Sequence, residues 1–159
     1  MWAYRQKMSK FTVKKLNRFL LFKLPSAYLS GIRVSSISDK EAMATVKYQW
    51  INQNPFKSLY WATQGMASEL VTGLLVMKKI DESQKKISML VTTQTGNFTK
   101  KAVGRITFIC SDGDRIKETI DLAISSGEGQ TVIMAAEGFN EEYESVSKFE
   151  YTWSIKVKE

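Results

Sequence analysis

The spacing of apolar positions changes several times along the chain, and each change marks an element. Over residues 11–23, Phe11, Leu16, Phe19, Leu20 and Phe22 are interleaved with Lys14, Lys15, Arg18 and Lys23, the pattern of a basic amphipathic helix. Pro25 and Gly31 bracket a short connector. From Ile32 the period becomes two. Ile32, Val34 and Ser36 alternate with Arg33 and Ser35, residues 38–40 turn the chain, and Ala42, Ala44, Val46, Tyr48 and Trp50 then share one face. Such alternation predicts an antiparallel hairpin with one buried side. Asn52-Gln53-Asn54-Pro55 breaks the second strand.

A long apolar stretch follows. With Ser58 as N-cap, it predicts a helix reaching about Lys79. Gly65, Glu69 and Gly73 are four residues apart and therefore lie on one side of it, with Ala62 close by. Residues 78–86 read as a polar turn, and strand patterns resume at 87–95 and 102–111. Asp112-Gly113 ends the latter, and Asp114 is placed to cap a short helix carrying Ile116, Ile120, Ala123 and Ile124 and ending near Gly127. Strands at 131–136 and 149–157 complete the chain. Two strands, a long helix and four more strands predict an α+β domain in which an antiparallel sheet of about six strands wraps a central helix.

At 159 residues, with two prolines, nine glycines, 43% hydrophobic and 25% charged residues, the composition predicts one domain over 1–159, with 1–25 as an N-terminal helical extension. The apolar run 59–77 is long enough to raise the question of a membrane span. Gln64, Ser68, Thr72 and above all Glu69 make insertion costly, so a buried helix in a cytoplasmic protein is expected. The formal charge of +7 favours anionic partners, but the lysines are scattered and no nucleic-acid recognition motif accompanies them. One cysteine, Cys110, excludes an internal disulfide and recurs at strand spacing with Ile106 and Phe108, as a buried structural thiol would. Histidine is absent. That removes Ser-His and Cys-His nucleophilic machinery and His-ligated zinc, and no metal site is expected.

Between Ser58 and Met77, Glu69 is the only residue that is charged at neutral pH. A carboxylate in an apolar helix is paired, protonated or functional. Desolvation would raise its pKa toward that of a general base working near neutrality, while pairing with a sheet lysine or arginine, or hydrogen bonds accepted from Asn54 or a backbone, would make it structural. Asn52 and Asn54 either merely end a strand or orient a carbonyl near the helix start, where free backbone N–H groups can also stabilise an oxyanion. Phe56, Tyr60 and Trp61 fit core packing, a dimer contact or the wall of an acyl-chain site. Lys100 and Lys101 follow Gly96 and Asn97 in a loop.

The segment from Asn54 through Ser58, Tyr60, Trp61, Ala62 and Gly65 to Glu69 resembles the signature of hotdog-fold acyl-CoA thioesterases. It is similar to the phenylacetyl-CoA thioesterase group and to an uncharacterised bacterial branch of that superfamily. In these enzymes an asparagine ends a strand and an acidic residue follows on the central helix at the interval seen here between Asn54 and Glu69. The resemblance covers residues 26 to 159.

It implies a hotdog fold, a homodimer or dimer of dimers with its site at the subunit interface, and hydrolysis of an acyl-CoA or acyl-carrier thioester. No cofactor is implied beyond the coenzyme A of the substrate. Glu69 would activate water or attack the thioester, and Asn54 would position water or carbonyl. Ser58, Tyr60, Trp61, Ala62 and Gly65 would surround the substrate, with a backbone N–H at the helix start as oxyanion donor. Lys57, Lys100 or Lys101 would meet phosphate. The family usually places histidine and small residues where Tyr60, Trp61 and Ala62 stand here. A non-catalytic acyl-binding protein of the same fold is the alternative.

Overall fold

A computed structural model describes residues 11–158, so the first ten positions of the expected N-terminal extension lie outside it. Helices α1 (Val13–Lys23) and α2 (Pro25–Leu29) lead into strands β1 (Arg33–Ile37) and β2 (Ala42–Lys47), followed by a 3₁₀ turn at Trp50–Asn52. Helix α3 (Trp61–Ser83) precedes β3 (Ile87–Phe98) and β4 (Arg105–Cys110). Helix α4 (Gly113–Ser126), β5 (Gln130–Phe139) and β6 (Ser145–Val157) close the order. The six strands form one sheet in the order β1-β2-β4-β5-β6-β3, every neighbouring pair antiparallel. This sheet wrapped on the long helix α3 is the hotdog architecture. No helix of the described residues is long and apolar enough to cross a membrane.

Alternation along the strands builds the inner face. Val34, Ala42, Ala44, Val46, Ile106, Phe108, Cys110, Met134, Phe149, Tyr151, Trp153 and Ile155 are buried there, against Ala67, Leu70, Val71, Leu74 and Leu75 of α3. Each large aliphatic side chain so buried contributes roughly 1.5–3 kcal/mol. Cys110 belongs to this core, and burial pushes its thiol up to about 12, so it stays protonated and unreactive near neutral pH.

Several boundaries differ from the sequence reading, each for a local reason. A bulge between Val34 and Ser36 shifts the phase of β1, so Ile37 rather than Ser36 continues the inner face. Strand β2 stops at Lys47, and Trp50, expected on the buried side, is 83% exposed. The buried Asn52 accounts for this: its amide donates to Lys47 O and Ser30 O, both at 2.9 Å, and its carbonyl accepts from Gln49 N at 2.8 Å. Helix α3 begins at Trp61, not after Ser58, with Tyr60 as an N-cap that supplies no side-chain bond.

At its other end α3 continues through the expected polar turn to Ser83. Lys78 pairs with Asp39 and Glu82, and the buried Lys79 reaches Glu82 at 2.9 Å, so the charges there are neutralised. Asp112, not Asp114, occupies the N-cap of α4. Its carboxylate instead accepts from Ala135 N at 2.8 Å, tying the helix start to β5.

The two sheet edges are treated differently. On β1, the Asn17 side chain donates to Val34 O and accepts from Val34 N, both at 2.9 Å, so α1 covers that edge. Among the described residues the other edge strand, β3, pairs only with β6. Its twelve residues include no charged residue and no proline, and Leu90 and Phe98 on it are exposed.

Candidate active site on the central helix

The inner side of α3 carries three polar residues one turn apart, Gln64, Ser68 and Thr72, all buried. Each is matched on β6. Ser147 Oγ donates to Gln64 Oε1 at 2.8 Å, Ser68 Oγ and Tyr151 Oη are 2.7 Å apart, and Trp153 Nε1 donates to Thr72 Oγ1 at 3.1 Å. Tyr151 Oη also lies within donating distance of Gly65 O, at 3.0 Å. Burial pushes the Tyr151 hydroxyl up to about 12, opposed by its bond to Ser68 and reinforced by the charge of Glu69. The sequence signal for this stripe is its spacing of four, which from sequence alone argues only against membrane insertion.

Glu69 sits on the same helix beside that stripe. Among the described residues its carboxylate has neither an ion-pair partner nor a hydrogen-bond donor. Desolvation raises its pKa above the ordinary value. The lysine or arginine partner that a purely structural carboxylate would need is absent from its surroundings among the described residues.

Its two flanking glycines serve different ends. A Cβ on Gly73 would stand 3.4 Å from Glu69 Oε1 and 3.4 Å from ring carbons of Trp153, so this glycine lets helix and sheet approach. A Cβ on Gly65 would meet nothing within 4 Å among the described residues, which leave that side of the helix open.

A cleft of about 470 Å³ lies at the start of α3, bringing Asn54, Ser58, Tyr60, Trp61 and Gln64 together with Phe98, Lys100 and Lys101. Asn54 organises its rim. Its Oδ1 accepts from Phe56 N at 2.9 Å and Ser58 N at 3.2 Å, and its Nδ2 donates to Ser58 Oγ at 3.0 Å. Ser58 is thus a buried partner of Asn54 rather than a helix cap. Tyr60 and Trp61 are half exposed, their rings 5.8 Å apart. Of the expected phosphate contacts, Lys100 pairs with Glu144 at 2.6 Å and Lys101 donates to Phe56 O at 3.2 Å.

The backbone at this end is under-satisfied in a useful way. Thr63 N and Gln64 N both reach Tyr60 O. The amides of Trp61 and Ala62 have no acceptor among the described residues, as the first turn of a helix leaves them. They are available to an anion.

Within one chain the two halves of the expected site stay apart. Glu69 is eight residues beyond Trp61, roughly 12 Å along the helix axis. Asn54, Ser58, Tyr60 and Trp61 share the cleft; Ala62, Gly65 and Glu69 do not line it. Among the described residues, no three of Cys, Asp and Glu converge as a metal site would require.

Residues 13–155 match the family model described as Domain of unknown function (DUF4442). No curated protein matches the chain by sequence. Among solved structures, a Pseudomonas aeruginosa protein of unknown function, described as a probable thioesterase, superposes with a TM-score of 0.78 at 20% identity, covering 91% of this chain and 96% of the other. A mutant thioesterase of the same organism gives 0.70 at 15% identity over 95% and 98%. A Haemophilus influenzae thioesterase gives 0.66 at 14% identity over 94% and 93%. At these identities the likeness establishes the hotdog fold.

Proposed function

We propose that this chain, which belongs to the DUF4442 family, hydrolyses acyl-CoA or acyl-carrier thioesters as a homodimer, with Glu69 as the base. The observation that carries the reading is Glu69 itself. It is a largely buried carboxylate without a partner among the described residues, and desolvation raises its pKa, the condition under which a carboxylate becomes an effective base. The thioesterases among the structural neighbours make thioester hydrolysis the first chemistry to test.

The dimer supplies what one chain lacks. The uncharged edge of β3 is the kind of edge that monomers blunt with charge, proline or a covering element, as α1 does for β1. Antiparallel pairing of two β3 edges would continue the sheet. It would also carry the cleft at the start of one α3 toward the Glu69 of the second copy.

In such a site Glu69 takes a proton from water, and the oxygen attacks the thioester carbonyl. The amides of Trp61 and Ala62 receive the developing oxyanion. Collapse expels the thiolate, which takes a proton from Glu69 or solvent, leaving a carboxylic acid and a free thiol. Asn54 acts here as a positioning residue, because its amide is engaged in holding the loop that shapes the cleft. Tyr60 and Trp61 wall the cleft for an acyl chain.

The test is release of free thiol from short, medium, long and aromatic acyl-CoAs, wild type beside Glu69→Gln. Loss of a positioned base costs roughly 10²–10⁴-fold in rate. An unchanged rate in the variant overturns the mechanism. A second reading, an acyl-binding protein without turnover, is favoured by the bulk of Trp61 beside the free amides. Binding of acyl-CoA by a folded wild-type dimer that releases no thiol would select it.

A further inference from the structure

A second concavity, of about 360 Å³, lies on the outer face of the sheet and shares no residue with the cleft at α3. Tyr28, Arg33, Thr45, Lys47, Gln49 and Arg105 form it. The strand register explains how the cations meet. Lys47 and Arg105 are direct cross-strand partners. Arg33 stands opposite Thr45, one diagonal step from Lys47. Like charges directly opposite each other destabilise a sheet.

None of the three cations is ion-paired to a carboxylate among the described residues. The nearby Glu141 carboxylate is engaged by the backbone N–H of Arg105 at 3.2 Å. Arg33 is also held in place. Its Nη1 donates to Tyr28 O and Ile32 O, both at 2.7 Å, and its guanidinium lies 3.5 Å above the Tyr28 ring. The remaining nitrogens of a fixed guanidinium, the opposed Lys47 and Arg105, and the Thr45 and Gln49 side chains present donors around one hollow. A planar fork matches the oxygens of a phosphate.

We infer that this hollow binds a phosphate-bearing ligand, with Arg33, Lys47 and Arg105 as its three cationic contacts. The group is a phosphate ester or diphosphate, borne either by a nucleotide such as coenzyme A or by a free phosphorylated metabolite. The inference stands whether or not Glu69 hydrolyses thioesters, and its test involves no turnover.

The experiment measures binding by calorimetry and thermal unfolding of the full chain with inorganic pyrophosphate, AMP and coenzyme A, at matched ionic strength in chloride. Wild type is compared with Arg105→Gln, Lys47→Gln and, as a control on α4 outside both concavities, Lys117→Gln. Without ligand, Arg105→Gln should melt at or above the wild-type temperature, because a repulsion is removed. Its affinity for pyrophosphate should fall roughly tenfold or more, as for a lost charge-assisted contact. Lys47→Gln should behave alike, and Lys117→Gln should bind as wild type.

Coenzyme A binding tighter than pyrophosphate and AMP, with the same dependence on Lys47 and Arg105, would identify the nucleotide source. Equal affinities would identify a free phosphate. No binding by wild type, wild-type affinity in both outer-face variants, equal competition by malonate, or a ligand-free Arg105→Gln that melts lower would each overturn the assignment.

Discussion

Alanine at Gly65 would separate the stability of the central helix from its use. A glycine inside a helix costs about 1 kcal/mol relative to alanine, and a Cβ at this position meets nothing within 4 Å. Nothing among the described residues opposes the gain, and the bonds from Ser68 and Tyr151 to Gly65 O use the backbone alone. Gly65→Ala should therefore be more stable by about 1 kcal/mol, a rise in Tm of roughly 2–4 °C for a chain of this size. If the open side of Gly65 admits the acyl group, the added methyl takes up room meant for substrate. A methylene-sized change in an apolar pocket alters kcat/KM by roughly 10–200-fold. The expected outcome is a protein that melts higher and releases thiol at least tenfold more slowly from its best substrate. Scanning calorimetry and the thiol assay on one preparation decide it. A lower Tm would show that the space is structural, and a higher Tm with unchanged kcat/KM would remove Gly65 from the site.

Other outcomes follow from the same geometry. Because burial raises the pKa of Glu69 above its ordinary value near 4.5, the folded chain holds that proton more tightly than the unfolded one. Its stabilising contribution is complete below the ordinary value and is lost as pH rises through the folded pKa. Glu69→Gln should melt above wild type at neutral pH, with the difference shrinking as pH falls through that window; a difference independent of pH would contradict the burial argument. Thr72→Val keeps the side-chain shape but leaves the buried Trp153 Nε1 without its acceptor, a loss of about 1–3 kcal/mol readable in urea unfolding. Lysines at Leu90 and Thr95 would place like charges along the exposed β3 edge. Sedimentation should then find a folded monomer, whereas an unaltered dimer would place the interface elsewhere.

An antiparallel sheet wrapped on one long helix was legible because its elements differ in period: a long apolar helix between alternating strands survives errors of several residues at each end, and the resemblance of the segment from Asn54 to Glu69 added the hotdog fold. What the pattern missed depended on partners distant in sequence. Trp50 alternates correctly with Val46 and Tyr48, but Asn52 turns the chain first by bonding Ser30 O and Lys47 O. The helix read as ending near Lys79 because Asp39 and Glu82, which neutralise Lys78 and Lys79, cannot be assigned from spacing alone. Ser58 looks like a cap until Asn54 claims it. Glu69 was legible as a lone charge in an apolar helix. Its lack of a partner, and its distance from Asn54 within one chain, were not.

The stripe of Gln64, Ser68 and Thr72 bears on how many ways the helix can be seated. An apolar helix on an apolar sheet can slip, since neighbouring registers bury similar surface. A slip of one residue turns α3 by about 100° and strands the buried polar atoms now matched to Ser147, Tyr151 and Trp153. At roughly 1–3 kcal/mol for each orphaned group, the wrong seatings lie several kcal/mol higher. A chain with apolar residues of similar shape both in the stripe and at its partners Ser147, Tyr151 and Trp153 would leave no polar atom orphaned and would still fold, and uniqueness would go before stability. Its carboxylate would then sample several directions, so a loss of activity there would come from a blurred aim rather than from a missing group.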